Sequence, residues 1–553
     1  MDALERAHEA LQAGRLADAE REARRELGAH PRRVEAQVVL ARACEGQGKL
    51  PEAIGAWMDA FSLDPSRPSS ALGLALAMAK NQERDKAVEM LGLALGLHPN
   101  DADLLTTRGN LLRALGRFEE AHTSHRQALA LAPASPAIHA NLCALYLSWK
   151  RPHDALAEAE AALALAPGTS ELEFNRGTCL VQLGRVDEAV ACLDQVVARS
   201  PHNHRAWLNL GEARLLGGDD AGAEAAFRSA VAAAPEDAEA HFNLSLRLLA
   251  RGAFEDGWRE YEWRRRLEDF AIRRLEGPRW DGGPLPGGVL LVTAEQGLGD
   301  TFQFVRFLPR AKERSGARVV FECPPALRDL LTGLAGVDEL VPVGSPLPRW
   351  DAQVSLLSLP QLTQAGPGVD GPYLVADPAR VASWRARLQP AAHWVAVAWQ
   401  GNPAYKADAR RSLPLEAFTR LARIPGVRLV AVQKQHGREQ LSRWPAEVPL
   451  LDLGPELDVS APFIDTAAVL SAVDLVISSD TSVPHLAGAL GQEAWLALPQ
   501  QADWRWGNEA ASTSWYGRMR LYRQASAGDW SGVFDRLEAD LRGRLVGRGG
   551  WSR

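Results

Sequence analysis

The chain has 553 residues, 46% of them hydrophobic, and a net charge of −7. That length predicts roughly two to four domains with ample cores, and the acidic balance excludes general affinity for nucleic acid, which needs a basic face to displace counterions. Five cysteines without a C-x-x-C pair argue against a zinc or disulfide framework; the polar start and the lack of any run long enough for a membrane span predict a cytoplasmic protein without a secretory signal.

From the N-terminus the chain repeats. Pro31, Pro65, Pro99, Pro133, Pro167, Pro201 and Pro235 are spaced by 34 residues, and Ala19, Ala53, Ala87, Ala121, Ala155, Ala189 and Ala223 each stand twelve residues ahead of one of them. Alanine lets a second helix lie close on a first, and proline closes the unit where one helix ends and the next begins. Gly14, Gly48, Gly116, Gly184 and Gly218 supply the turn between the helices, with Gln82 and Lys150 standing there in units 3 and 5. An eighth unit keeps Gly252 and Tyr261, has Gly257 for the alanine and no closing proline, and is read as a terminal cap. Cys44, Cys143, Cys179 and Cys192 fall in repeat helices and are read as small core residues. Period and residue types resemble the tetratricopeptide repeat. That resemblance implies an α-helical solenoid over residues 1–270 with a groove for an extended peptide or another protein; an array that only spaces or dimerises the chain is the plainer alternative.

Helical periodicity stops between Gly257 and Gly288 in a stretch ending in glycine and proline, so 271–288 is expected to be a linker. VLLVTA (289–294), a helical segment after EQGLGD, and ARVVFEC predict a β-α-β unit in a half spanning 289–385. HWVAVAW, VRLVAVQ, VDLVISS and EAWLALP predict a second parallel sheet in a half spanning 386–553. Two Rossmann-like halves form a cleft, and ligands in that architecture bind beyond the carboxyl ends of the strands.

Three segments stand at such ends. In the first, Gly297 and Gly299 let backbone approach a ligand, and Asp300 sits near a helix start, where it can accept a proton from an acceptor hydroxyl or cap the helix, as can Thr301. The second is Trp399, Gln400, Gly401 and Asn402, followed by Lys406, Arg410 and Arg411; three cations on one loop suit a diphosphate, and a solvated basic loop is the alternative. In the third, Asp480, Thr481, Ser482 and His485 open a helix with hydroxyls, amides and an imidazole suited to an anion, where a plain capped helix is the alternative.

With these motifs, residues from about 285 to 540 resemble glycosyltransferase family 9, the ADP-heptose:lipopolysaccharide heptosyltransferases, carried by G-L-G-D (297–300), the Gly401–Arg411 loop and D-T-S-x-x-H-x-A-x-A-x-G (480–491). Repeats joined to EQGLGD and DWRW (503–506) are similar to bacterial repeat-containing transferases, some of which modify flagellin. The resemblance implies a GT-B fold and a metal-free, cofactor-free transfer of sugar from a nucleotide sugar to a protein acceptor in the groove. Asp300 would be the base, Lys406 with Arg410 or Arg411 would neutralise donor phosphate, and Thr481, Ser482 and His485 would bind it. Trp504 and Trp506 either stack on a sugar or base or belong to the core. The rival reading is a non-catalytic adaptor whose transferase-like domain only binds a ligand.

Overall fold

The computed structural model describes residues 2–268, 270, 273, 275–368, 371–388, 393–405, 407–508 and 511–548. It divides into two compact units, 1–234 and 235–553.

The first unit is a run of helix pairs, from α1 (Ala3–Gln12) and α2 (Leu16–Ala29) to α13 (His204–Leu216) and α14 (Asp220–Ala233). All seven ladder alanines are fully buried. The turn glycines take left-handed backbone, Gly14 with φ of 72° and Gly218 with 81°. Gln82 and Lys150 adopt the same conformation, at 65° and 57°, so the turn geometry persists where its usual residue is replaced, against a local steric cost of about 1 kcal/mol. Each ladder proline follows directly after the residue capping a second helix, as with His30 before Pro31 and Ala234 before Pro235. The four cysteines of the array are buried.

His125, in the helix Phe118–Leu131, is fully buried and both ring nitrogens lack a hydrogen-bond partner among the described residues. It packs on Gly109 as Phe227 packs on Gly211 three units later. Burial first, then Arg113 and His122, pull its pKa down to about 4, against about 6.5 for an unfolded histidine. The unfolded chain therefore binds the extra proton, and stability contributed at neutral pH is lost as pH falls from about 6.5 to about 4, by at most about 3 kcal/mol. His125→Phe should remove this dependence: in thermal melts its advantage over wild type should widen between pH 7 and pH 4.5, and a constant difference would refute the assignment.

The second unit opens with α15 (Ala238–Ala250), α16 (Phe254–Tyr261) and a 3-10 turn, Glu262–Arg266. These residues were expected to end the array, but Leu249, Trp258 and Tyr261 share a core with residues of both following halves. Of the expected linker, 271, 272 and 274 lie outside the described residues. Trp280, also within it, is buried and its N–H donates to the Gln353 carbonyl at 2.8 Å, so this part is docked.

Strands β1 (Val289–Thr293), β2 (Arg318–Cys323), β3 (Glu339–Pro342) and β4 (Ala352–Ser355) form a parallel sheet in the order β3-β2-β1-β4. A second parallel sheet, from β5 (His393–Ala398), β6 (Val427–Ala431), β7 (Leu450–Asp452), β8 (Leu475–Ser479), β9 (Ala494–Leu498) and β10 (Met519–Arg523), has the order β10-β9-β8-β5-β6-β7. Buried apolar runs such as Leu290–Val292 and Leu475–Ile477 suit strands covered on both faces. The order of addition reverses between β1 and β4 and between β5 and β8, giving each sheet a switch point. The boundary expected at 385 falls inside the helix Pro378–Arg387, which packs on Ile464–Ala472 of the second half, with Arg380 donating to Asp465 at 2.8 Å.

Candidate functional site between two parallel sheets

The three motif-bearing turns follow β1, β5 and β8, three of the four strands that border the two switch points. The first leads into α17 (Leu298–Phe304) and the third into α24 (Ser482–Ala489), and these helices pack on each other. Glycine at 299 favours that approach: a Cβ there would stand a tight 3.0 Å from His485 Cδ2, with Ser482 Cα at 3.6 Å.

Asp300 is held from two sides. Its Oδ2 accepts the Gly297 N–H at 2.9 Å, and its Oδ1 pairs with Arg505. Burial raises its pKa despite Arg505 and the Gly297 amide. Arg505 is 9% exposed, and besides Asp300 it donates to Asp503 Oδ1 at 2.8 Å and Gln303 Oε1 at 2.6 Å. Its guanidinium lies over the Trp504 ring, 4.3 Å from the centroid. Sequence reasoning passed over Arg505; the available signal was a cation between two tryptophans in DWRW, a residue type that is buried only when paired.

Thr481 caps α24, its hydroxyl accepting the Val483 N–H at 3.4 Å, and Ser482 is half-buried. Asp480, just before them, has its pKa pushed up to about 6, first by burial and then by Asp503, against the pull of Arg411, the Trp506 indole and Arg505. The Trp506 N–H faces this carboxylate but lies outside hydrogen-bond geometry. His485 is 5% exposed, stacks on Trp506 with ring centroids 5.1 Å apart, and shares a 2.9 Å hydrogen bond between Nδ1 and the Tyr516 hydroxyl. Burial, with repulsion from Arg505, Arg306 and Arg411, holds its pKa well below the usual value. Any donation from His485 to an anion is thus that of a neutral imidazole, which brings no positive charge.

On the loop after β5, Arg411 is half-buried, bonds Asp408 Oδ1 at 3.1 Å and lies 4.5 Å from the Tyr405 ring centroid, while Arg410 is exposed. Arg411 therefore joins the group around Asp480, and Arg410 stands at the surface of the same loop. Lys406 lies outside the described residues. Gln400 is braced by Gln433, which accepts its N–H at 3.2 Å and donates to its carbonyl at 2.8 Å; Gly401 lies against Arg411 and Asp408. Asn402 is exposed and holds a turn by accepting the Ala404 N–H at 3.0 Å.

Of the two readings of Trp504 and Trp506, packing places both rings in the core. They are 5% and 1% exposed, and Trp504 packs edge-on against Trp258 and Trp515. Among the described residues, no group of three or more His, Cys, Asp or Glu side chains is placed to hold a metal ion.

A tetratricopeptide-repeat family model matches residues 4–68, 145–191 and 174–238. The N-terminal region carries tetratricopeptide repeats. Protein FlbA of Caulobacter vibrioides is 29% identical over 321 residues, 53% of this chain and 53% of that protein, so the chain spans about half the length of this distant relative. Among solved structures, a tetratricopeptide repeat protein from Parabacteroides merdae matches 42% of this chain and 93% of its own, at 16% identity and a TM-score of 0.38. Yeast Tom70 matches 45% of this chain and 54% of its own, at 18% identity and a TM-score of 0.36. No helix among the described residues is long and apolar enough to cross a membrane.

Proposed function

We propose that the chain is a cytoplasmic GT-B glycosyltransferase that moves a sugar from a nucleotide-sugar donor to a protein acceptor, a flagellin among the candidates, held by the repeat groove. The observation that carries this reading is the placement of all three motif turns at the switch points of two parallel sheets, where open α/β folds take ligands. In the proposed reaction Asp300 takes the proton of the acceptor hydroxyl while its oxygen attacks the anomeric carbon. The bond from that carbon to phosphate oxygen breaks, and a nucleoside diphosphate leaves with its new charge beside Arg411 and Arg505. One observation favours the rival adaptor: Asp300 is already engaged by Gly297 and Arg505.

A panel of sugar nucleotides screened by thermal shift identifies the donor, because a ligand at a hundredfold its Kd stabilises the native state by about 2.7 kcal/mol, and mass spectrometry of acceptors incubated with that donor separates the two readings. Binding without transfer to any acceptor would favour the adaptor. For a donor that binds, affinity should fall as pH rises through about 6, where Asp480 ionises beside the phosphate; the loss should be roughly tenfold between pH 5.5 and 7.5 by calorimetry. Asp480→Asn should flatten that profile, and an unchanged slope would remove Asp480 from the donor's surroundings.

A further inference from the structure

The 3-10 turn Glu262–Arg266 carries a guanidinium with no exposed surface. Arg264 donates through Nε to Glu295 Oε1 at 2.7 Å and through Nη2 to Glu295 Oε2 at 2.8 Å. Its remaining donors reach Glu262 at 2.8 Å, the Tyr261 carbonyl at 3.1 Å and Ser358 at 3.1 Å. The Ser355 hydroxyl also donates to Glu295. Burial pushes the Glu295 pKa up, but the pairing with Arg264 outweighs it and keeps the carboxylate ionised.

The next residue, Gln296, holds left-handed backbone at φ of 63°, and its Nε2 donates to the Tyr261 hydroxyl at 3.0 Å. Both residues preceding Gly297 are therefore tied to one helical element. A buried ion pair seldom stabilises more than apolar side chains of the same volume would, and a left-handed glutamine persists only where its surroundings over-determine it. Two such unfavourable features side by side indicate that the geometry of this turn is what they maintain. The same element also touches the opposite wall of the site: Trp258 lies 5.4 Å and Tyr261 6.2 Å from Trp504, ring to ring, and Trp504 adjoins Arg505.

We propose that Arg264 is a positioning residue, which through Glu295 holds the 295–300 turn so that Asp300 meets Arg505 in register. The proposal rests on the transferase reading for its effect on rate, and on geometry alone for its effect on the turn. Arg264 itself lies outside the motifs, in the cap, 31 residues before its partner.

The test uses the full chain with Arg264→Met and Glu295→Leu together, which leaves neither charge of the pair buried, and Arg264→Lys as a second variant that keeps the charge but cannot pair at two points. With the melting temperature near that of wild type, backbone amides of 295–301 should exchange at least about tenfold faster in hydrogen-exchange mass spectrometry. Turnover should fall by roughly a hundredfold with donor KM within about threefold of wild type. Native exchange rates across 295–301 in a folded variant would overturn the proposal, and so would faster exchange with full turnover. If the double variant fails to fold, Arg264→Lys alone decides by the same criteria. If wild type transfers no sugar from any donor, the transferase reading falls, and the exchange rates then decide whether Arg264 positions the turn.

Discussion

Asp300→Asn is expected to lower sugar transfer by roughly 10² to 10⁴ while donor binding is retained or tightened. Asparagine still offers an oxygen to the Gly297 N–H, so the start of α17 keeps its cap. It cannot take the acceptor's proton, and it withdraws one negative charge from Arg505, which then faces donor phosphate while still paired with Asp503. The structural cost should be small, about 1 to 3 kcal/mol for the lost charged hydrogen bond to a guanidinium that keeps its other partners. Mass spectrometry of an acceptor, read beside calorimetry of the donor, checks both halves. Full transfer by the variant would return Asp300 to the role of a helix cap.

Removing residues 1–234 is expected to leave a folded, donor-binding protein that no longer modifies its acceptor. The cut falls at the boundary between the two compact units, so α15, α16 and the Glu262–Arg266 turn remain with the sheets they pack on. A cut at 270, where the end of the repeat pattern would place it, should behave differently. It strips Trp258, Tyr261 and Arg264, leaving Glu295 as a buried carboxylate without its cation and Trp504 and Trp515 without their aromatic cover. Removing one partner of a buried pair costs about 3 to 5 kcal/mol, which is a large fraction of a domain's stability. The shorter fragment should therefore melt far lower or aggregate, and equal thermal stability of the two fragments would contradict the packing argument. Undiminished acceptor modification by residues 235–553 would show that the repeats do not hold the acceptor.

How far a feature was legible in the chain follows from how local its cause is. The helix pairs, their turns and their tight packing follow from residues at most 34 apart, because proline, alanine and the turn residue each act on their own segment. The two parallel sheets were readable for the same reason, as short apolar runs between helical segments, and so were the three turns at their ends. What the local pattern could not reveal was the partner of each charge. Asp300 meets Arg505 across 205 residues and Arg264 meets Glu295 across 31, with no spacing rule to connect them. Motif chemistry left Arg410 and Arg411 interchangeable and the charge of His485 open; the packing exposes Arg410, half-buries Arg411 beside Asp408 and keeps the buried imidazole neutral. Burial and charge pairing arise from the meeting of distant segments, so the identity of each residue came from the chain and its ionisation came from the fold.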